Sequence, residues 1–391
     1  MSLELSQDRL VRKEVALGTL RDLEPPKTHI GLSLCPWLEV ASDDVIFDYM
    51  KPLTEGLAPA RAEDSEAELA QKDHLFGGTG RASIIDWAVK DHYTASDVTR
   101  YRESLLLQAQ LGVNGLNDLP VTLRSNITEF DQKLARDEAT RRRKMDNRVE
   151  WLIMTALETG GISYNDGRIK FAVDYGRPAN QTDEAPQNGL WSLTTSDPIR
   201  DLLWVQEFMY DLYGVRMTRA LTSRKVLNNL LNSDKFAARS GLAIPGYGVP
   251  SGGTVGSPGG TEIDPMYLID GWGAGAARAI IERQTGIQFM EPYDAVYRTR
   301  AVGSTTVVNN RFMSENKVLL LPDPEDVAAL DDAIGFGRTL TSPHPEGNWT
   351  PGFYEWERST VDPWGMDRGT GVKAFPVFPH MELTYSLTVL P

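Results

Sequence analysis

Apolar positions along the chain change period several times, and each change predicts an element. Val45, Phe47 and Tyr49 alternate with Asp48 and Met50, and Ile85, Trp87 and Val89 alternate with Asp86, Ala88 and Lys90, the period of two expected of strands. Between them residues 51–81 form a polar run rich in Ala, Glu, Asp and Gly, far longer than an ordinary hairpin loop. A two-stranded projection of that length is not stable alone in water, so it is expected to rest on another surface, plausibly a neighbouring subunit. Residues 1–44 mix short apolar groups with charges and with Pro25, Pro26 and Pro36, which predicts a short amphipathic helix at best and then extended chain. The strongest helical period runs over about 127–157 through Phe130, Leu134, Met145, Val149, Leu152, Ile153 and Ala156. Asn126 with Glu129 resembles a capping box at its start, and Gly160 and Gly161 end it. Its first half is charged on the other faces, so only a thin stripe is buried and the helix reads as a strut.

Beyond it, Asn165, Asp166 and Gly167 supply a turn between two short strands. From Asp197 the texture is compact α/β. Asp197 and Pro198 open a helix closed by Gly214, with Leu202, Val205, Phe208 and Met209 inward. A strand over 216–221 and a helix over 223–231 follow. The Gly/Pro-rich stretch 244–260 buries nothing. Then come a short strand over 266–270, a helix over 274–286, and strands around 288–297 and 317–321. Residues 343–364 are rich in Pro, Gly and Trp, and 373–390 reads as terminal strand.

Composition narrows the functions. The 391 residues include 54 acidic and 40 basic ones, a net charge of -14, so the average surface repels phosphate and strong nucleic-acid binding is disfavoured. With no apolar run of membrane-spanning length and a charged N-terminus, the chain is expected to be soluble, with no membrane partner. Cys35 is the only cysteine, which excludes an internal disulfide. The five histidines are scattered, no paired-carboxylate, G-x-S-x-G or Walker pattern occurs, and no catalytic, metal or cofactor site is assigned. Gly271, Gly273 and Ala276 form a G-x-G-x-x-A after a short strand, with Glu291 about 20 residues on. Close helix-to-sheet packing explains these glycines better than a nucleotide. The run Arg141, Arg142, Arg143, Lys144 points around the helix and is read as a solvated face or as ion pairs to an acidic neighbour, in preference to phosphate contacts.

An extended arm, a long polar hairpin, a charged strut and an α/β region together resemble the major capsid proteins of tailed phages, and more specifically the lambda-like capsid protein E family. The matching stretches are the hairpin, TALETGGISYNDGRIKFAVDYG, SDPIRDLLWVQEFMYDLYGVRMTRALTSRKVLNNLL, and the ending from EGNWTPGFYEWERS to VKAFPVFPHMELTYSLTVL. The resemblance implies an α+β Hong Kong 97-type fold. Its parts would be an N-arm (1–44), an E-loop (45–98), a peripheral domain with a spine helix (99–191, return segment 346–374) and an axial domain (192–345, closing strand 375–391). It implies a non-enzymatic shell protein of the virion, made in the host bacterial cytoplasm. Its copies would form hexamers and pentamers around double-stranded DNA, with a separate scaffolding protein, a portal and in some shells a decoration protein. Leu57, Leu69, Leu75 and Phe76 are the candidate inter-subunit contacts of the E-loop, and Phe130, Leu134, Met145, Val149 and Leu152 are the candidate residues of the spine helix's buried stripe. Some phages of this fold crosslink lysine to asparagine, for which Lys72 and Asn348, with Glu355 or Glu357 as base, are candidates; ordinary surface roles are favoured for them. The rival readings are a nucleotide-binding enzyme using 271–276 and a bacterial nanocompartment shell of the same fold.

Overall fold

The computed structural model describes residues 10–51, 75–111, 119–231, 278–300, 306–330 and 336–391, apart from 12, 168, 194 and 363, together with 233, 236 and 275. In chain order its elements begin with α1 (Lys13–Asp22), α2 (Gly31–Leu34), β1 (Trp37–Glu39), β2 (Asp44–Lys51), β3 (Leu75–Ser83), β4 (Asp86–Thr94), α3 (Ala95–Gln110) and α4 (Val121–Thr159). There follow β5 (Gly161–Asn165), β6 (Lys170–Asp174), α5 (Pro198–Tyr213), β7 (Met217–Thr222), α6 (Arg224–Leu231), β8 (Gln288–Phe289), β9 (Val296–Arg300) and β10 (Val307–Arg311). The last are β11 (Lys317–Pro322), α7 (Pro324–Leu330), β12 (Arg338–Thr341), β13 (Phe353–Val361), β14 (Trp364–Lys373), β15 (Phe375–Val377) and β16 (Tyr385–Thr388). The chain divides into two compact units, one of residues 1–45, 81–151 and 339–377, the other of 46–80, 152–338 and 378–391.

In the first unit an antiparallel sheet of order β13-β14-β4 carries the core. Alternate residues of β4 face inward, with Trp87 and Tyr93 buried and Val89 and Asp91 half-buried. Tyr93 joins Val98, Tyr101, Leu119, Ile127, Phe130, Leu134 and Met366 in one cluster, so α3 and the first half of α4 share a core with the sheet. On the opposite face Gly369 and Gly371 lie under the rings of Trp356 and Tyr354, which leave no room for a Cβ. β13 falls in the Pro-, Gly- and Trp-rich stretch 343–364, for which the sequence predicts no strand, and Gly369 and Gly371 of β14 make room for its aromatic rings.

Three expectations are corrected here. β2 pairs with β3, and β4, expected as the second arm of the hairpin, instead joins β14. The helix α4 starts at Val121, where the Arg124 N–H donates to the Pro120 carbonyl, so the Asn126 and Glu129 pair lies inside it and caps nothing. Residues 13–39 of the arm, expected to lack a core, are docked within their own unit. Leu17, Leu20 and Cys35 are buried, the Ile30 and Gly31 N–H groups donate to Glu150 at 3.0 and 2.9 Å, and β1 pairs in parallel with β12.

The second unit is built on a sheet of order β16-β11-β7-β8, in which only the β7–β8 pair is parallel. Val318, Leu319, Leu320 and Leu321 are buried, as are Leu202, Val205 and Met209 of α5 and Val226, Leu227 and Leu230 of α6. The Asp197 carboxylate accepts from the Arg200 N–H at 3.2 Å at the start of α5, and Gly214 ends the helix at φ 69°, as the sequence predicts. Phe208, expected inward, is half-buried and stacks on Trp204 at 5.5 Å. β5 and β6 form the expected hairpin, its turn held by Asn165 accepting from the Gly167 N–H and Asp166 from the Ile169 N–H. Residues 278–285 are helical, while the Gly/Pro stretch and the strand expected over 266–270 lie outside the described residues.

Candidate assembly elements

The spine is a single helix of 39 residues, about 58 Å long at 1.5 Å per residue. Phe130, Leu134, Met145, Val149 and Leu152 are all buried on its inner stripe. In the middle the stripe turns ionic: Glu138, Arg141, Arg142 and Asp146 are buried as well. The basic run is therefore split. Arg143 and Lys144 face solvent, while Arg141 and Arg142 point into the first unit.

Arg141 is fully buried and uses every guanidinium nitrogen. Nη1 donates to Asp91 at 2.8 Å and to the Tyr93 hydroxyl at 3.3 Å, Nη2 to Glu355 at 3.1 Å, and Nε to Thr370 at 3.0 Å. Arg368 of β14 reaches the same Glu355 from the other side with Nη2 at 3.0 Å and with Nε, and donates to Glu138 at 2.9 Å. Arg142 pairs with Asp146 at 3.0 Å, donates to the Leu20 carbonyl at 2.9 Å and lies 3.3 Å from the Phe353 ring centroid. Helix, sheet and arm are thus joined by charge-assisted bonds, which are stronger than neutral ones. Burial pushes the Glu138 and Asp146 carboxyls up, against the pull of their arginines. Burial likewise raises Glu357, which accepts the Leu10 N–H at 3.0 Å. Burial also raises the Tyr93 hydroxyl, to about 12, although Arg141 opposes it.

A second polar joint closes the root of the hairpin stem. The Ile84 N–H donates to the Asp43 carbonyl at 2.7 Å, and the Asp43 carboxylate accepts from Ser342 at 2.5 Å and from Lys373 at 2.9 and 2.8 Å. The Lys373 hydrogen bond, followed by that of Ser342, holds the Asp43 carboxyl below the usual range. Of the four candidate contacts on the hairpin, Leu75 and Phe76 open β3, and Leu57 and Leu69 lie outside the described residues. The far end of the spine is closed by Arg177, which donates to the Leu157 carbonyl at 2.8 Å and the Glu158 carbonyl at 2.6 Å, with Gly160 at φ 75°. These carbonyls end the helix without amide partners, so a cation there is favourable.

The remaining candidates do not converge. Gly271, Gly273 and Ala276 lie outside the described residues, as does Lys72. Asn348 sits in a turn at φ 57°, and Glu355 is occupied by two guanidiniums, which makes it a poor base for a crosslink. His92 lies 2.7 Å from Asp367 on the sheet, and His344 stacks on Tyr354 at 3.8 Å. Among the described residues no group of three His, Cys, Asp or Glu stands ready to hold a metal, and no helix is long and apolar enough to cross a membrane.

The buried arginines were not foreseen from the sequence, because their partners lie up to 230 positions away. Residues 84–248 match the family described as phage major capsid protein E. Among solved structures, the chain is similar to a putative capsid protein of a prophage of E. coli CFT073, with TM-score 0.56 and 12% identity over 97% of this chain and 99% of that one. A phage-related protein of Bordetella bronchiseptica RB50 matches with TM-score 0.50 and 15% identity over 98% and 99%. No curated protein matches the chain.

Proposed function

On the match of residues 84–248 to the phage major capsid protein E family, we propose that the chain is a capsid protein of this kind and that its copies gather as hexamers and pentamers into a closed icosahedral shell around double-stranded DNA. It is a structural protein of the virion and not an enzyme. Its work is association, in which each contact needs only moderate strength because closure of the shell adds many of them. The supporting observation is a 39-residue helix whose residues 121–151 are locked to the first unit along one stripe, combined with a two-stranded stem whose feet are tied at Asp43 and Ile84. A stiff body with a rooted projection suits a subunit that must reach its neighbours.

In this reading residues 1–44 are the N-arm, 99–191 with the return segment 346–374 the peripheral domain around the spine, and 192–345 with 375–391 the axial domain. The E-loop, expected over 45–98, is narrowed to 44–83, because β4 pairs with β14. Leu57, Leu69, Leu75 and Phe76 supply its contacts to neighbouring copies, and Phe130, Leu134, Met145, Val149 and Leu152 keep the spine straight by burying it. A separate scaffolding protein and a portal act during assembly in the host cytoplasm, and a decoration protein is a further candidate partner. The charge of -14 keeps DNA from adhering to the shell, so free subunits are expected to leave DNA unshifted in a gel at physiological salt. Negative-stain microscopy of the purified protein tests the central claim. Closed shells are expected, and a protein that stays monomeric under all assembly conditions refutes it. Deleting residues 57–77 is expected to leave a folded, soluble subunit that closes no shells.

A further inference from the structure

β9 and β10 form a two-stranded ribbon in the second unit, and neither outer edge is paired among the described residues. Pairing places Val296 opposite Arg311, Arg298 opposite Asn309 and Arg300 opposite Val307, so all six positions share one face. That face is open: Val296 is 53% and Val307 51% exposed, and Arg298 and Asn309 are also exposed. It is also cationic, for no acidic residue occurs between Asp294 and Glu315. Arg311 is held by Asp294 at 2.8 Å and Glu315 at 3.1 Å, while Arg298 has no partner among the described residues. A bare ribbon of two strands is marginal in water, so this one needs a cover.

A face of the opposite kind lies on α5 of the same unit. Glu207, Tyr210 and Asp211 fall at i, i+3 and i+4 and are exposed, with Tyr210 52% exposed. Arg216 lies 6.0 Å from the Tyr210 ring, yet two carboxylates dominate the stripe. One face joins arginine to valine, the other carboxylate to tyrosine. Each provides what the other lacks.

We propose that the β9–β10 ribbon of one copy docks on the α5 stripe of the next, with Arg298 set against Glu207 and Asp211 and the valines against Tyr210. Two different surfaces of one chain meeting head to tail generate a ring when the rotation closes, which is the geometry a hexamer or pentamer requires. The inference rests on the shell reading and adds to it a contact and its polarity. The apolar residues give the contact its area, and the charges set its register and exclude the wrong partner.

Charge exchange tests it. R298E and, separately, E207R with D211R are each expected to lower the yield of shells by about tenfold or more, since like charges then face each other. The chain carrying all three substitutions recovers most of the loss. A second measurement uses V307C with Y210C in one chain. Cys35 is buried, so an oxidised ladder of dimers and higher multimers that needs both cysteines, with no dimers from V307C alone or Y210C alone, reports this contact. Wild-type yields from both charge variants, or a triple variant no better than either, overturns the contact, and so does a V307C/Y210C protein that stays monomeric on oxidising gels while wild type builds shells. A wild type that forms no shells sinks the shell reading and this contact together.

Discussion

Arg368 offers the sharpest test of how the first unit is held together. Its side chain is almost wholly buried and binds both Glu355 and Glu138, which are buried too. In R368M a hydrocarbon of similar reach occupies the space, so little packing is lost, but Glu138 keeps no cation and Glu355 keeps only Arg141. Breaking a buried pair from one side costs about 3–5 kcal/mol, because the remaining charge stays desolvated. With a urea m-value of about 3 kcal/mol/M, the midpoint of the first unit's transition falls by roughly 1–1.7 M. K133M is the control: the Lys133–Asp97 pair at 2.7 Å is partly exposed, and its loss is expected to cost less than about 1 kcal/mol. The sign of the pH response is also set. Burial holds the Glu138 carboxyl above its unfolded pKa, and the loss of Arg368 removes a pull in the other direction, so the penalty is full at neutral pH and shrinks on acidification as Glu138 takes up a proton. If R368M unfolds at the same urea concentration as K133M, or if its deficit does not narrow at lower pH, then the junction is not what binds helix to sheet.

Three further outcomes follow from single contacts. G369A drives a methyl into the Trp356 indole, so tryptophan emission is expected to shift to the red with a loss of about 1–3 kcal/mol, whereas G18A, which meets nothing within 4 Å, leaves both unchanged or slightly improved. D197A removes the acceptor for the Arg200 N–H and costs about 1 kcal/mol in urea unfolding of the second unit. Asp43 has a lowered folded pKa, so its contribution is present above the unfolded carboxylate value of about 3.9 and is lost as pH falls through the folded value. D43N is therefore expected to be weaker at neutral pH and to show a flatter acid limb below about pH 4 in a thermal-shift titration.

Elements whose signals are local were legible in the sequence. α5 announced itself through Asp197, Pro198 and Gly214, the β5–β6 hairpin through Asn165, Asp166 and Gly167, and the spine through seven apolar positions at helical spacing. What escaped depends on distant partners. Glycine at 369 and 371 suggests loop until Trp356 and Tyr354 are seen lying across it. Arg141 and Arg142 look like solvent residues until Glu355, Thr370 and Leu20 surround them. The start of the spine was misplaced because Asn126 and Glu129 mimic a cap, while the true start uses only a backbone carbonyl at Pro120. The hairpin was read with the wrong second arm, since alternation shows that β4 is a strand but not which strand it joins.

The tie between Asp43 and Ile84 makes everything strung between those two positions a cassette with a fixed socket. Once the socket is closed, lengthening the inserted chain adds only about 0.6 kcal/mol for each doubling of its length. A foreign peptide grafted there therefore adds little to the folding cost of the host body. Variation in size or sequence along this arc is cheap for the subunit, and its cost falls on whichever neighbour has to accommodate it.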